Sequence, residues 1–245
     1  MKKIFFKKSL VEGIILSRPN RFIMIVQIGN KEVKTHCPTT GRIGNIVFRN
    51  IPCLLSKSEN PKRKTAYTVE AISLDEKDKK DKIWIGINQT KVNGYIEYLL
   101  NRGLLKKISS GEKIEREVRM GKSRIDFRAD GNLIEVKMPL ISLPNNKTKN
   151  IEERAYPKFN SFDRLIKHFS ELSNSIEKNK RAILLMCYMY DAATFHPPKT
   201  DSSNMRIKNV AKKAIEKGVE NWQVNLKIDK SGVSLIKYFK LNLFN

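Results

Sequence analysis

The chain is short of cysteine, of acid and of long apolar runs, and each shortage narrows what it can be. Its 245 residues include 3 cysteines, Cys37, Cys53 and Cys187, far apart and odd in number. No C-x-x-C spacing occurs, so neither a zinc site nor a disulfide framework is indicated, and a reducing, cytoplasmic compartment is expected. The longest apolar segment, AILLMCYMY (182–190), falls well short of the about 20 residues that a membrane-spanning helix needs. The opening MKKIFFKKSL resembles the basic start of a secretory signal, but Lys7, Lys8 and Glu12 interrupt any apolar run. No membrane role is expected, and no internal repeat is visible.

The shortage of acid says most about partners. Lys and Arg total 48 against 25 Asp and Glu, a formal charge of +23. Such an excess points first to polyanions, DNA ahead of RNA, with a membrane surface or a lysine-rich lineage as alternatives. A lineage bias usually raises Glu alongside Lys, and here the acids lag. The hydrophobic content of 40% is that of a folded protein, and the length suffices for one large domain or two modest ones. A homodimer is compatible with the sequence.

Residues 1–82 read as a small β-barrel of the OB kind. EGIILSRP, RFIMIVQIGN, KEVKTHCP, GNIVFRNIPCLLSK and KTAYTVEAISL are each of strand length, punctuated by Gly, Pro, Asn or Ser. DEKDKKDK (75–82) alternates in charge and is expected to be an exposed linker before a second domain, 83–245. There the pattern becomes α/β with a mixed sheet. TKVNGYIEYLLNRGLL has helical spacing; KIEREVRM, SRIDFRAD and NLIEVKMPL read as strands. SFDRLIKHFSELSNSIEKN is an amphipathic helix that Asn160 or Ser161 would cap, and RAILLMCYMY a strand buried on both faces. DSSNMRIKNVAKKAIEKGV is a helix stopped at Gly218, and NWQVNLKID and VSLIKYFKLNLF are closing strands.

The chemistry concentrates in SRIDFRADGNLIEVK (123–137), two strands around an Asp130-Gly131 turn. Glu135 and Lys137, two apart on a strand, share a face that Asp126 can reach from the neighbouring strand. Ile125, Phe127, Ile134 and Val136 would supply the opposite, apolar face. The helix before them offers Glu97. Cleaving a phosphodiester calls for a hard divalent ion such as Mg²⁺ or Mn²⁺ on oxygen ligands, which Glu97, Asp126 and Glu135 can supply. A lysine beside them can orient water or neutralise charge on the phosphate. The competing reading is a solvated hairpin face decorated with charge. For binding, Lys62, Arg63 and Lys64 beside Tyr67, and Arg21 with Phe22, suit phosphate contact plus base stacking. A solvated loop and a core Phe22 are the alternatives. Arg124 could clamp a phosphate, with Lys122 and Arg128 adding to the field. His36 and Cys37 point oppositely on a strand, which favours a turn, packing or nucleic-acid contact over a metal site. His196 reads as a strand-end cap.

Several separated stretches resemble the sugar fermentation stimulation protein A (SfsA) family: RFIMIVQIGNKEVKTHCPTTGR, SENPKRKTAYTVEAI, EVRMGKSRIDFRADGNLIEVK, IKHFSEL, AATFHPP and AIEKGVE. The specific elements are HCP-x-T-G and SRIDF…IEVK. The resemblance implies an N-terminal OB-fold and a C-terminal domain similar to the PD-(D/E)xK nucleases. In that superfamily a helix glutamate joins an aspartate and an E-x-K pair at a metal site. Those positions fall on Glu97, Asp126, Glu135 and Lys137. The family also implies DNA binding and regulation of sugar (maltose) utilisation genes. Two departures stand out. Thr39 replaces the usual asparagine of HCPNTG, and YPKFNSFDRLIKHF replaces FPDA-x-T-x-RG, with Lys158 at the aspartate position and Leu165 at the glycine, while Arg164 and His168 can still be placed.

Overall fold

The structure is a computed structural model that describes residues 3–120, 123–140, 143–144, 151–153, 163–176, 181–196 and 205–243. The N-terminal half supplies β1 (Lys3–Phe5), β2 (Val11–Asn20), β3 (Ile23–Ile28), β4 (Lys31–His36), β5 (Ile51–Lys57), β6 (Tyr67–Ile72) and β7 (Ile85–Gly86). Strands β2 to β6 close into an OB-like barrel. The order is β4-β3-β2-β5-β6-β7, and a parallel bridge from His36 to Thr68 joins β4 to β6. Alternation does the sorting: Ile15, Met24 and Val26 turn inward and are fully buried, while their neighbours along the strand are less so.

The second half is a seven-stranded mixed sheet in the order β1-β13-β12-β11-β10-β9-β8. Its strands are β8 (Ile114–Met120), β9 (Ser123–Ala129), β10 (Asn132–Lys137), β11 (Ala182–Tyr188), β12 (Glu220–Ile228) and β13 (Gly232–Lys240). Its helices are α1 (Gln89–Asn101), α2 (Asp163–Ser175) and α3 (Met205–Glu216). β11 lies parallel to both β10 and β12 at the centre, and is buried on both faces as its unbroken apolar run requires. One face packs with α1 into a core continuous with the barrel interior, and the other packs against α2 and α3. Gly218, at φ 103°, ends α3 with the chain turning back through Val219 N–H to Ala214 O at 3.0 Å.

Three expectations meet corrections. The strand expected across 44–57 begins only at Ile51. Asn50 adopts φ 56°, and before it only Ile46 makes a bridge, to Glu153. The first residues, unread as structure, form β1 and pair with β13, with Lys3 Nζ 2.6 Å from Asp229. The charged run 75–82 is a loop with buried ends, because each end charge finds a partner. Asp75 accepts from Ile83 N at 2.6 Å and from Lys79 at 2.7 Å, and Lys82 reaches Glu12 at 2.8 Å. Strand pairing crosses the division drawn at 82/83 twice, since β7 adds to the barrel sheet and β1 to the other. Asn160, Ser161 and Lys158 lie outside the described residues, as does Lys122. Among the described residues no helix is long and apolar enough to cross a membrane.

Candidate functional site

The β9–β10 hairpin turns through Asp130, at φ 52°, and Gly131, at φ 86°, as its Asp-Gly signal requires. From there the ladder runs only to the Phe127–Ile134 pair. Beyond it the strands part, and the Asp126 carboxylate fills the gap. Its Oδ2 accepts the Val136 N–H at 2.8 Å. Its Oδ1 accepts from Asn93 Nδ2 on α1 at 2.7 Å. Inward and outward alternation breaks at this point. Phe127, Ile134 and Val136 join the core under α1, whereas Ile125 packs on the α2–α3 side. The single apolar face expected behind the acidic trio is therefore divided between the two layers.

Glu135 and Lys137 share a face as their spacing predicts, and the lysine Nζ donates to Glu135 Oε1. Glu135 is 2% exposed, a depth at which a carboxylate must be paired. Asp126 is pushed above the usual carboxylate range, first by burial and then by the Glu135 charge, against the hydrogen bonds from Val136 and Asn93 and the charge of Lys137. The three residues of the hairpin thus form one electrostatic unit.

Glu97 stands apart from it. One helical turn beyond Asn93, its Oε2 pairs with Arg116 Nη1 on β8 at 3.2 Å. The β8–β9 register is continuous across this point, Arg116 opposing Phe127 and Val118 opposing Ile125, and Glu117 between them, at the position opposite Asp126, adopts φ 51°. Among the described residues no three Asp, Glu, His or Cys side chains are grouped so as to hold a metal ion. Asn93 and Arg116 escaped the sequence reading because amides and arginines carry no motif of their own. The one available signal was the four-residue offset of Asn93 from Glu97 on the helix.

α1 is fixed at its start from three directions. Asn88 Oδ1 caps it at Thr90 N–H, 3.1 Å away. Glu70, buried in β6, accepts from Asn88 Nδ2 at 2.8 Å and from Lys91 Nζ at 2.6 Å. Gln89 Nε2 donates to Met138 O at 2.9 Å, immediately after Lys137. The HCPTTG loop also runs between the layers. Thr39 Oγ1 donates to Ile87 O, so the hydroxyl replacing the family's amide has a buried partner, and Gly44 N–H donates to Leu140 O at 2.6 Å.

Several of the barrel's basic residues lie around the β2–β3 turn. Phe22 is exposed, with the Arg21 guanidinium 4.7 Å over its ring, which settles its reading against core. His36 is half-buried beside it and is held below the ordinary histidine value by burial and by the Arg63 charge. Lys62, Arg63 and Lys64 are exposed, while Tyr67 packs against the core. Cys37 is fully buried and pairs by its backbone N–H with Phe22 O at 2.7 Å. Arg124 is exposed on β9 opposite Arg119, and Arg128 pairs with Glu115 at 3.4 Å. His196 is exposed after the loop that Gln223 holds through Phe195 N–H at 2.7 Å. The side chains of Arg164 and His168 lie outside the described residues.

Comparison with known proteins places two family models on the chain. One, described as the SfsA N-terminal OB domain, matches residues 16–87. The other, the sugar fermentation stimulation protein RE domain, matches residues 90–232. Curated relatives named sugar fermentation stimulation protein homolog include one from Alcanivorax borkumensis, 33% identical over 88% of this chain and 90% of its own. Another, from Microcystis aeruginosa, is 31% identical over 96% of each chain. The structure of Pyrococcus furiosus SfsA in complex with Ca²⁺ matches the fold at TM-score 0.73, with 22% identity and 99% of both chains covered.

Proposed function

The chain belongs to the sugar fermentation stimulation protein family, and on that premise we propose that it is a cytoplasmic nucleic-acid-binding protein that hydrolyses phosphodiester bonds with Mg²⁺ or Mn²⁺ and little sequence preference. One observation carries this reading: the half-buried Asp126 is pushed up by burial and by the charge of the buried Glu135 on the next strand, inside a protein of net charge +23. A divalent cation relieves that repulsion, and the donors are hard oxygens of the kind Mg²⁺ and Mn²⁺ take. Two protein carboxylates suffice for a magnesium-type site completed by water and phosphate. The relative from Pyrococcus furiosus was solved with Ca²⁺, another oxygen-seeking ion. A bound ion there supplies a polarised phosphate and an acidified water.

The chain's own residues do the rest. Asp126 and Glu135 would hold the ion. Asn93 and the Val136 N–H fix the Asp126 carboxylate from two sides, so that it is oriented before any ligand arrives. Lys137 orients Glu135 and carries positive charge to the face where a phosphate becomes more negative. The barrel's basic residues gather the polyanion. The metal site that the family resemblance implies, an aspartate with an E-x-K pair, supports the Asp126, Glu135 and Lys137 part of this assignment.

A second reading is a DNA-binding regulator of sugar utilisation genes without catalysis. The Glu97–Arg116 pair favours it, because it engages the third expected carboxylate elsewhere. Linear DNA, supercoiled DNA and RNA incubated with the protein in Mg²⁺, Mn²⁺ or EDTA separate the two. Metal-dependent cleavage abolished by Asp126→Ala and by Lys137→Ala is the expected result. Tight binding that leaves every substrate whole refutes catalysis and leaves the regulator. Binding itself falls steeply with salt as counterions are released, and a salt-insensitive affinity refutes the electrostatic basis of both.

A further inference from the structure

The hairpin tip between β2 and β3 holds an aromatic ring that the phosphodiester chemistry does not use. Phe22 is 45% exposed. A lone exposed apolar side chain needs no explanation by itself. What sets this one apart is the rigidity beneath it and the charge around it. Asn20 Oδ1 accepts the N–H of Phe22 at 2.9 Å and of Ile23 at 3.0 Å, which fixes the turn. The Phe22 carbonyl accepts from Cys37 N–H at 2.7 Å. The ring therefore stands in water on a backbone held from both sides.

Cations surround it. The Arg21 guanidinium lies 4.7 Å over the ring, and the Arg21 carbonyl is itself held by Arg18 Nη2 at 3.3 Å. Arg63 is near enough for its charge to act on His36, and Lys62 and Lys64 flank it on the same exposed loop. That loop is held by Asn60, whose Oδ1 accepts Lys62 N–H at 3.0 Å and whose carbonyl accepts Arg63 N–H at 3.3 Å. Tyr67, the other aromatic beside the basic run, is half-buried and packed against the core.

Positive charge alone binds any phosphate backbone, single or double stranded. A preorganised phenyl ring adds something charge cannot: a surface for the flat face of a base. In a duplex those faces are covered by neighbouring base pairs, and only an unpaired base offers one. We propose that Phe22 is a stacking platform for an unpaired base, flanked by Arg21, His36 and Arg63 as phosphate and cation–π contacts, so that the barrel selects single-stranded over duplex nucleic acid. This rests on the nucleic-acid reading above and specifies its substrate. The loop that begins at His36 reaches Leu140, just past Lys137, by way of Gly44. Its reach is at most about 30 Å.

The test is fluorescence anisotropy in EDTA, which prevents cleavage, with a labelled single-stranded DNA of about 15 nucleotides and the same sequence as a duplex. Wild type is expected to bind the single strand more tightly. Phe22→Ala weakens the single strand by about 10- to 100-fold, the loss of one stacked base, and changes duplex binding less than about twofold. Phe22→Trp restores single-strand binding. Replacing Lys62, Arg63 and Lys64 together by alanine weakens both forms. Equal affinity of wild type for both forms, an equal loss on both in Phe22→Ala, or no loss on either overturns the proposal while leaving nucleic-acid binding intact. A wild type that binds neither form refutes the nucleic-acid reading itself.

Discussion

Replacing Asp130 by alanine probes how the turn end of the candidate hairpin is held. Its carboxylate accepts four hydrogen bonds from the segment before β8: Ser109 Oγ and Ser110 Oγ at 2.6 Å, Gly111 N–H at 3.0 Å and Lys113 N–H at 2.8 Å. The bonds from Ser109 and Gly111 are partly buried and contribute about 1 kcal/mol each; those from Ser110 and Lys113 are exposed and regain water. Asp130 also sits at φ 52°, where alanine costs about 1 kcal/mol more than a residue that tolerates the left-handed region. The sum is about 3 kcal/mol. One apolar core joins barrel and sheet, so a single thermal transition is expected, lowered by about 6–12 °C in Asp130→Ala. Asp130→Asn keeps the turn and loses the charge, for about half that effect. The pH dependence has a definite sign. Burial is outweighed by the serine hydroxyls and backbone N–H groups, so the pKa lies far below the usual carboxylate range. Its contribution is present above the unfolded value of about 3.9 and is lost as pH falls through the folded value. The gap between wild type and Asp130→Asn is therefore constant from pH 7 to about pH 4 and narrows below. Hydrogen exchange at Gly111 and Lys113 reports the same bonds locally. A loss under about 1 kcal/mol in Asp130→Ala, with those amides exchanging as in wild type, refutes the reasoning.

Asp126 has the opposite sign. Its pKa is raised, first by burial and then by Glu135, so its stabilising share is present below about pH 4 and lost as pH rises through the folded value. Asp126→Asn is expected to raise the melting temperature at pH 7 and to leave it unchanged near pH 3; a variant less stable at pH 7 contradicts this. Arg116→Ala releases Glu97, and if Glu97 joins the proposed ion site, Mn²⁺ binding measured by calorimetry tightens several-fold; unchanged affinity leaves Glu97 outside the site. A fragment of residues 83–245 loses the β1–β13 pairing, the Glu70 contacts to α1 and the barrel side of the shared core. It is expected to remain unfolded or aggregate, and a cooperative melt from it would show that the sheet stands without the barrel.

Much of this was legible because it depends on spacing. The two-residue offset of Glu135 and Lys137, the Asp-Gly turn, the Gly218 stop and the unbroken apolar run of β11 are properties of a few consecutive residues, and each survives folding unchanged. What could not be read depends on partners far away in the chain. β1 is three residues long and exists only because β13 offers an edge. The charged run 75–82 looks unfit for a core until Glu12 arrives to meet Lys82. Glu97 has helix-face spacing suited to the hairpin, yet an arginine on β8 meets it first. Spacing gives a side chain its direction; competition decides its partner.

That competition also identifies which acid is unusual. With 48 cationic side chains and 25 acidic ones, a carboxylate here should find a lysine or arginine easily. Most do. Glu12, Asp75 and Asp229 are held low, burial being outweighed by hydrogen bonds and by lysines, and Glu220 falls to about 2 through Arg181. Asp191 is lowered by Lys237. Asp126 is instead pushed up, and what pushes it besides burial is another carboxylate. Glu135 is met by Lys137, whereas Asp126 is held by N–H donors and keeps the neighbouring carboxylate's charge beside it. The amide of Asn93 pins Asp126 in place, and α1 is in turn pinned to the barrel through Glu70. A half-buried carboxylate kept beside another acid by three elements is what the proposed cation site calls for, and a solvated hairpin face gives no reason for it.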